Sequence, residues 1–147
     1  MNYILNHKCI CKQCEINTDK KNLVARGSKT EYRLINEGRK SFDKYVVDDC
    51  LLKLKEREEK CDYLFMIIDM KEAFFIECKG SDILKAIRQL DSSINILGRE
   101  LAGFVFKGRI IPTKVYSPDL RTSEHKRLRA KLKGELEIKN KVFEEII

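Results

Sequence analysis

The chain has 147 residues, 43% of them hydrophobic, enough for one compact domain with a buried core and too few for a second. It holds no run of about 18 apolar residues, so no membrane span is expected, and its opening stretch mixes charge with apolar side chains unlike a signal peptide. The expected location is the cytoplasm, where six cysteines read as reduced thiols or metal ligands rather than as a disulfide framework.

The net charge is +7, and it is concentrated. From Lys107 to Lys133 nine basic residues (Lys107, Arg109, Lys114, Arg121, Lys126, Arg127, Arg129, Lys131, Lys133) stand against Asp119 and Glu124, which accounts for the whole excess. Such a segment would attract a polyanion such as nucleic acid; a solvated basic face is the plainer alternative.

Residues 1–26 show no clear period and read as an irregular lead-in containing His7, Cys9, Cys11 and Cys14. These four have donors suited to zinc, but they lack the usual two-pair spacing, and reduced, nonligating cysteines are the expectation. The single domain is expected over residues 27–147. Ser28 followed three positions later by Glu31 is a capping-box pattern, which predicts a short helix over residues 29–37, with Gly38 as its stop. A strand follows at Tyr45, Val46 and Val47, continuing to Leu52, and the charged residues 53–60 loop out.

Two apolar runs, 63–68 and 73–76, flank the polar stretch Asp69, Met70, Lys71 and Glu72 and predict a hairpin. Asp82 is a natural N-cap for an amphipathic helix marked by Ile83, Ile87, Leu90, Ile94 and Leu97, ending near Gly98. Residues 101–106 and 110–116 read as two strands around Gly108, with Pro112 placing the second at an edge. Thr122 or Ser123 caps a basic helix reaching Lys133, Gly134 ends it, and residues 135–143 predict a last, half-exposed strand.

The chemistry concentrates on the hairpin. Residues two apart on a strand share a face, so Glu77 and Lys79 project together. A two-residue turn at Asp69 and Met70 sets Asp62 opposite Glu77, and a four-residue turn sets it opposite Lys79; either register groups all three. Asp62 and Glu77 are oxygen ligands of the kind Mg²⁺ or Mn²⁺ takes, and Lys79 can orient a metal-activated water and stabilise developing negative charge. The plain alternative is an exposed cross-strand ion pair, worth well under about 1 kcal/mol.

Cys61-Asp62 and Glu77-Cys78-Lys79 resemble the PD-(D/E)xK nuclease superfamily, whose signature is an Asp opening one hairpin strand and Glu-x-Lys closing the next. Residues 47–50, 60–64, 76–80 and 86–90 are similar to a bacterial group of small proteins in that superfamily. The resemblance implies an α/β fold with a restriction-endonuclease-like αβββαβ core, a mixed central sheet flanked by helices, and a basic C-terminal helix. It implies a Mg²⁺- or Mn²⁺-dependent endonuclease acting on nucleic acid, DNA foremost, with Asp62 and Glu77 as metal ligands and Lys79 as a catalytic residue.

The resemblance also nominates Asp48 beside the site, Gln89 as a supporting helical residue and Glu31 as the helical Glu of the family, although capping alone accounts for Glu31. The sequence departs from the pattern at Cys61, where the family has an often-degenerate Pro, and at Ser93, where exonuclease-like members carry Tyr. Lys126, Arg127, Arg129 and Lys131 are expected to hold the phosphate backbone without reading bases. A homodimer is the assembly that would let both strands be cut. The rival reading is a noncatalytic nucleic-acid-binding or regulatory module with the same fold.

Overall fold

A computed structural model of the chain describes residues 14–47, 61–78 and 80–147. The strands and α-helices of the described residues are, in order, β1 (Glu15–Thr18), β2 (Asn22–Arg26), β3 (Glu31–Ile35), β4 (Phe42–Val46), β5 (Tyr63–Ile67), β6 (Glu72–Glu77), α1 (Ile83–Leu97), β7 (Val105–Ile110), α2 (Ser123–Lys131), β8 (Leu136–Ile138) and β9 (Val142–Ile146). The fold is mixed α/β. A six-stranded sheet has the order β1-β4-β5-β6-β7-β8, and a three-stranded sheet the order β2-β3-β9. Strands β4, β5 and β6 form an antiparallel meander, and β7, reached through α1, lies parallel to β6.

The strands β5 and β6 are nearly continuous apolar runs because both of their faces are covered. On one face Leu64, Met66 and Phe75 pack with Ile87 and Leu90 of α1 and with Leu128 of α2. On the other, Phe65, Ile67, Phe74 and Ile76 pack against Leu23, Tyr32, Leu34 and Phe143 of the small sheet. Both described helices flank the sheet on one side, and three strands form the layer on the other.

The helix expected over residues 29–37 is instead strand β3. Buried Tyr32 and Leu34 alternate with half-buried Glu31, Arg33 and Ile35, the period of a strand with one face on a core. Glu31 pairs across the hairpin with Arg26, so the pattern read as a capping box marks a turn between β2 and β3. The lead-in likewise contains ordered strands. In β1, left-handed Asn17 donates its N–H to buried Asp43 at 2.8 Å, and the second carboxylate oxygen of Asp43 accepts from Tyr45 Oη at 2.9 Å. Cys14 is disulfide-bonded, against the expectation of a reduced thiol, and the other expected lead-in donors, His7, Cys9 and Cys11, lie outside the described residues.

Gly108 divides no strands. It sits within β7, where an added Cβ would lie 2.8 Å from both Leu132 and Leu90 and 3.0 Å from Leu136. Its lack of a side chain lets the helix layer approach the sheet. Gly108→Ala is expected to cost about 1–3 kcal/mol through overpacking, read as a lowered denaturant midpoint with an unchanged slope. The helix α1 matches its expected span, with the Asp82 carboxylate accepting the Lys85 N–H at 3.0 Å, and Thr122 caps α2 by accepting from His125 N at 3.1 Å. The single strand expected over residues 135–143 is two, β8 and β9, which join different sheets.

Candidate functional site

The hairpin closes through a tight turn in which Lys71 N donates to Ile68 O at 3.2 Å, and Ile67 pairs with Glu72, so Asp69 and Met70 are its two central residues. That register runs to Tyr63 opposite Ile76. Beyond it the ladder becomes irregular, since Asp62 N also donates to Ile76 O, at 3.1 Å. Asp62, just outside β5, and Tyr63 thus both meet Ile76, a bulge-like departure from the register.

At this kink the Asp62 carboxylate turns onto the neighbouring strand, and Oδ2 accepts the N–H of Cys78 at 3.0 Å. The acceptor is held against the peptide group that joins Glu77 to Cys78. Asp62 is 5% exposed and Glu77 1%, so both acids are buried at this end of the hairpin, just before α1 begins. Strand alternation carries Glu77 to the same face as Ala73 and Phe75, the face covered by α1. Simple alternation was to have brought Asp62 there too; its carboxylate instead caps the Cys78 N–H.

Neighbouring residues hold this end of the sheet in place. Cys61 N donates to the buried Ser93 Oγ at 2.8 Å, fixing the residue before Asp62 to α1. Ser93, read from sequence as a departure from a family pattern, therefore has a defined anchoring role. Val47 N donates to Asp62 O at 2.9 Å and Ile111 N to Glu77 O at 2.9 Å, so β4 and the chain after β7 flank the two acids. The buried thiols of Cys61 and Cys78 are held neutral: burial pushes both pKa values up, and the charges of Asp62 and Glu77 push the same way.

Gln89 is half-buried on α1, one turn before Ser93. Asp48 and Lys79 lie outside the described residues. Glu31 is on β3 at the hairpin turn, bonded to Arg26 and Arg33, which hold its pKa low. Among the described residues no group of three or more His, Cys, Asp or Glu side chains gathers to hold a metal. Two carboxylates with waters and substrate phosphate suffice for Mg²⁺, so the donor set fits a hard divalent cation.

The basic segment divides. Arg109 is 2% exposed and joined to Glu145, and Lys107 pairs with Glu72 at 3.2 Å over the Phe74 ring. Lys131 turns its ammonium onto Asp91 of α1 at 2.8 Å and onto Asn95. Lys126, Arg127 and Arg129 stand exposed on α2. Arg88 pairs with Glu124 at 3.3 Å, and with the Lys131–Asp91 pair this makes α2 run in the same direction as α1. Its N-terminal end therefore lies toward the end of the sheet where α1 starts, the end that carries Glu77. A cleft of about 400 Å³ between the two helices is lined by Ile87, Arg88, Asp91, Glu124, Arg127, Leu128 and Lys131, and includes neither Asp62 nor Glu77. No protein-family model, curated protein or solved structure matches the chain.

Proposed function

We propose that the protein is a Mg²⁺- or Mn²⁺-dependent nuclease, with DNA as its first expected substrate. The observation that carries this reading is that Asp62, held by the Cys78 N–H, and Glu77 are both buried at the same end of the hairpin. Burying carboxylates is costly, and a divalent cation held by both would offset that cost. When bound, the cation would supply Lewis-acid polarisation of the scissile phosphate and an acidified water. Asp62 and Glu77 would hold it, the Cys78 N–H orients the Asp62 carboxylate, and Lys79 would orient the attacking water. The order β4-β5-β6-α1-β7 is consistent with the βββαβ part of a restriction-endonuclease-like core, and a hairpin stands where its first helix was expected. The test is cleavage of single-stranded, double-stranded and branched substrates with and without Mn²⁺; a chain inert on all of them overturns the reading.

Binding without cleavage is the second reading, favoured by the exposed Lys126, Arg127 and Arg129 on one short helix. Under either reading these residues contact phosphates. Replacing all three by Ala is expected to reduce the slope of log affinity against log salt by about 3, one ion for each lost contact. Fluorescence anisotropy across a salt series measures it, and an unchanged slope removes α2 from the interface.

A further inference from the structure

Cys78, the middle residue of Glu77-Cys78-Lys79, is gripped from three sides. Its N–H donates to Asp62 Oδ2 at 3.0 Å, its thiol points to Ala25 O at 3.7 Å, and its carbonyl accepts the hydroxyl of Thr30. Thr30 is 5% exposed and belongs to the β2–β3 turn, which closes on itself through Gly27 N donating to Thr30 O at 2.9 Å. That turn lies so close to β6 that a Cβ on Gly27 would overlap the Cys78 carbonyl. Among the described residues the β5–β6 ladder ends at Tyr63 and Ile76, and two side chains from different layers bond the peptide groups on either side of Cys78.

From this geometry we infer that Thr30 is a positioning residue: its hydroxyl orients the peptide after Cys78 and so the end of β6 that carries the proposed catalytic Glu77. The inference rests on the nuclease reading. A displacement on the order of 1 Å at reacting groups can cost about 100-fold in rate. Thr30→Val, which keeps the shape and removes the hydroxyl, is expected to lower kcat about 10-fold or more. KM for the nucleic acid should stay the same, because the exposed basic residues are untouched. Thr30→Ser keeps the hydroxyl and should restore kcat to within about twofold.

Single-turnover cleavage with Mn²⁺, alongside thermal unfolding of each variant, decides it. A Thr30→Val protein that cuts at the wild-type rate overturns the inference and leaves the nuclease reading standing. So does a Ser variant as slow as the Val variant, which would assign the effect to the lost methyl group. A wild-type chain that cuts nothing overturns the reading and this inference with it. Should Thr30→Val not fold, Thr30→Ala removes the same hydroxyl and carries the same expectation.

Discussion

Replacing Arg109 by Ala is expected to destabilise the protein by about 3–5 kcal/mol, the usual cost of breaking a buried ion pair from one side. For a domain of this length each kcal/mol lowers the melting temperature by a few degrees, so the loss should be on the order of 10 °C. Arg109 projects from β7 between the two sheets. It donates to Glu145 of β9 through Nε and through a terminal nitrogen at 3.1 Å, and to the Glu135 carbonyl at 2.8 Å. Tyr32 of β3 adds its hydroxyl to Glu145 at 2.7 Å, and the guanidinium lies 5.5 Å from the Phe74 ring centre. Removing the guanidinium strands a carboxylate and leaves a buried phenol with a charge it cannot balance.

The same cluster sets a pH dependence. Burial alone would raise the Glu145 pKa, but the hydrogen bonds from Arg109 and Tyr32, with the charge of Arg109, outweigh it and hold the value low. A carboxylate whose folded pKa is depressed adds stability that is fully present above its unfolded pKa and is lost as pH falls through the folded value. Acid unfolding below the ordinary glutamate range should therefore be steeper in the wild type than in Glu145→Gln. A double replacement of Arg109 and Glu145 by Met and Leu should cost far less than the two single losses added together, because no charge is left behind. Chemical denaturation between pH 3 and 7 would show both; additive single and double losses would remove the ion pair as an inter-sheet tie.

Glu77→Gln is expected to lower metal-dependent cleavage by at least about 100-fold, the scale on which a preorganised charge-stabilising group acts. The substitution keeps volume and hydrogen-bonding capacity, so the fold should survive. Asp62→Asn should behave similarly, since an amide oxygen can still accept from Cys78 N and only the charge is lost. Lys79→Ala should also abolish cutting. A second readout separates metal binding from chemistry: Mn²⁺ at 100 times its dissociation constant stabilises a binding protein by about 2.7 kcal/mol. That thermal shift should appear in the wild type and in Lys79→Ala, and vanish in Glu77→Gln. Equal cleavage by all four proteins would remove the proposed site.

Much of this was legible locally. Apolar residues at spacings of three and four after an N-capping Asp define α1 because both signals lie within the helix itself. Two apolar runs about a polar turn define the β5–β6 hairpin for the same reason, and its two-residue turn was one of the two registers the sequence allowed. The alternation of Leu23 and Ala25, then Tyr32 and Leu34, around Gly27 to Thr30 was a hairpin signal too, but a capping-box match of two residues outranked it.

What stayed hidden depends on contacts distant in sequence. Gly108 looks like a chain breaker until Leu90, Leu132 and Leu136 converge on it. Arg109 reads as one more surface cation until β9, 36 residues later, brings Glu145 beside it. Even at the candidate site, composition and spacing determined that Asp62 and Glu77 belong to one hairpin end, while only the tertiary structure decided what holds the Asp62 carboxylate. The regular pleat stops at Asp62, and a bulge with a hydrogen bond to Cys78 turns its carboxylate onto β6. Periodicity is a property of a segment; a bulge, a close approach and a buried ion pair are properties of what packs against it.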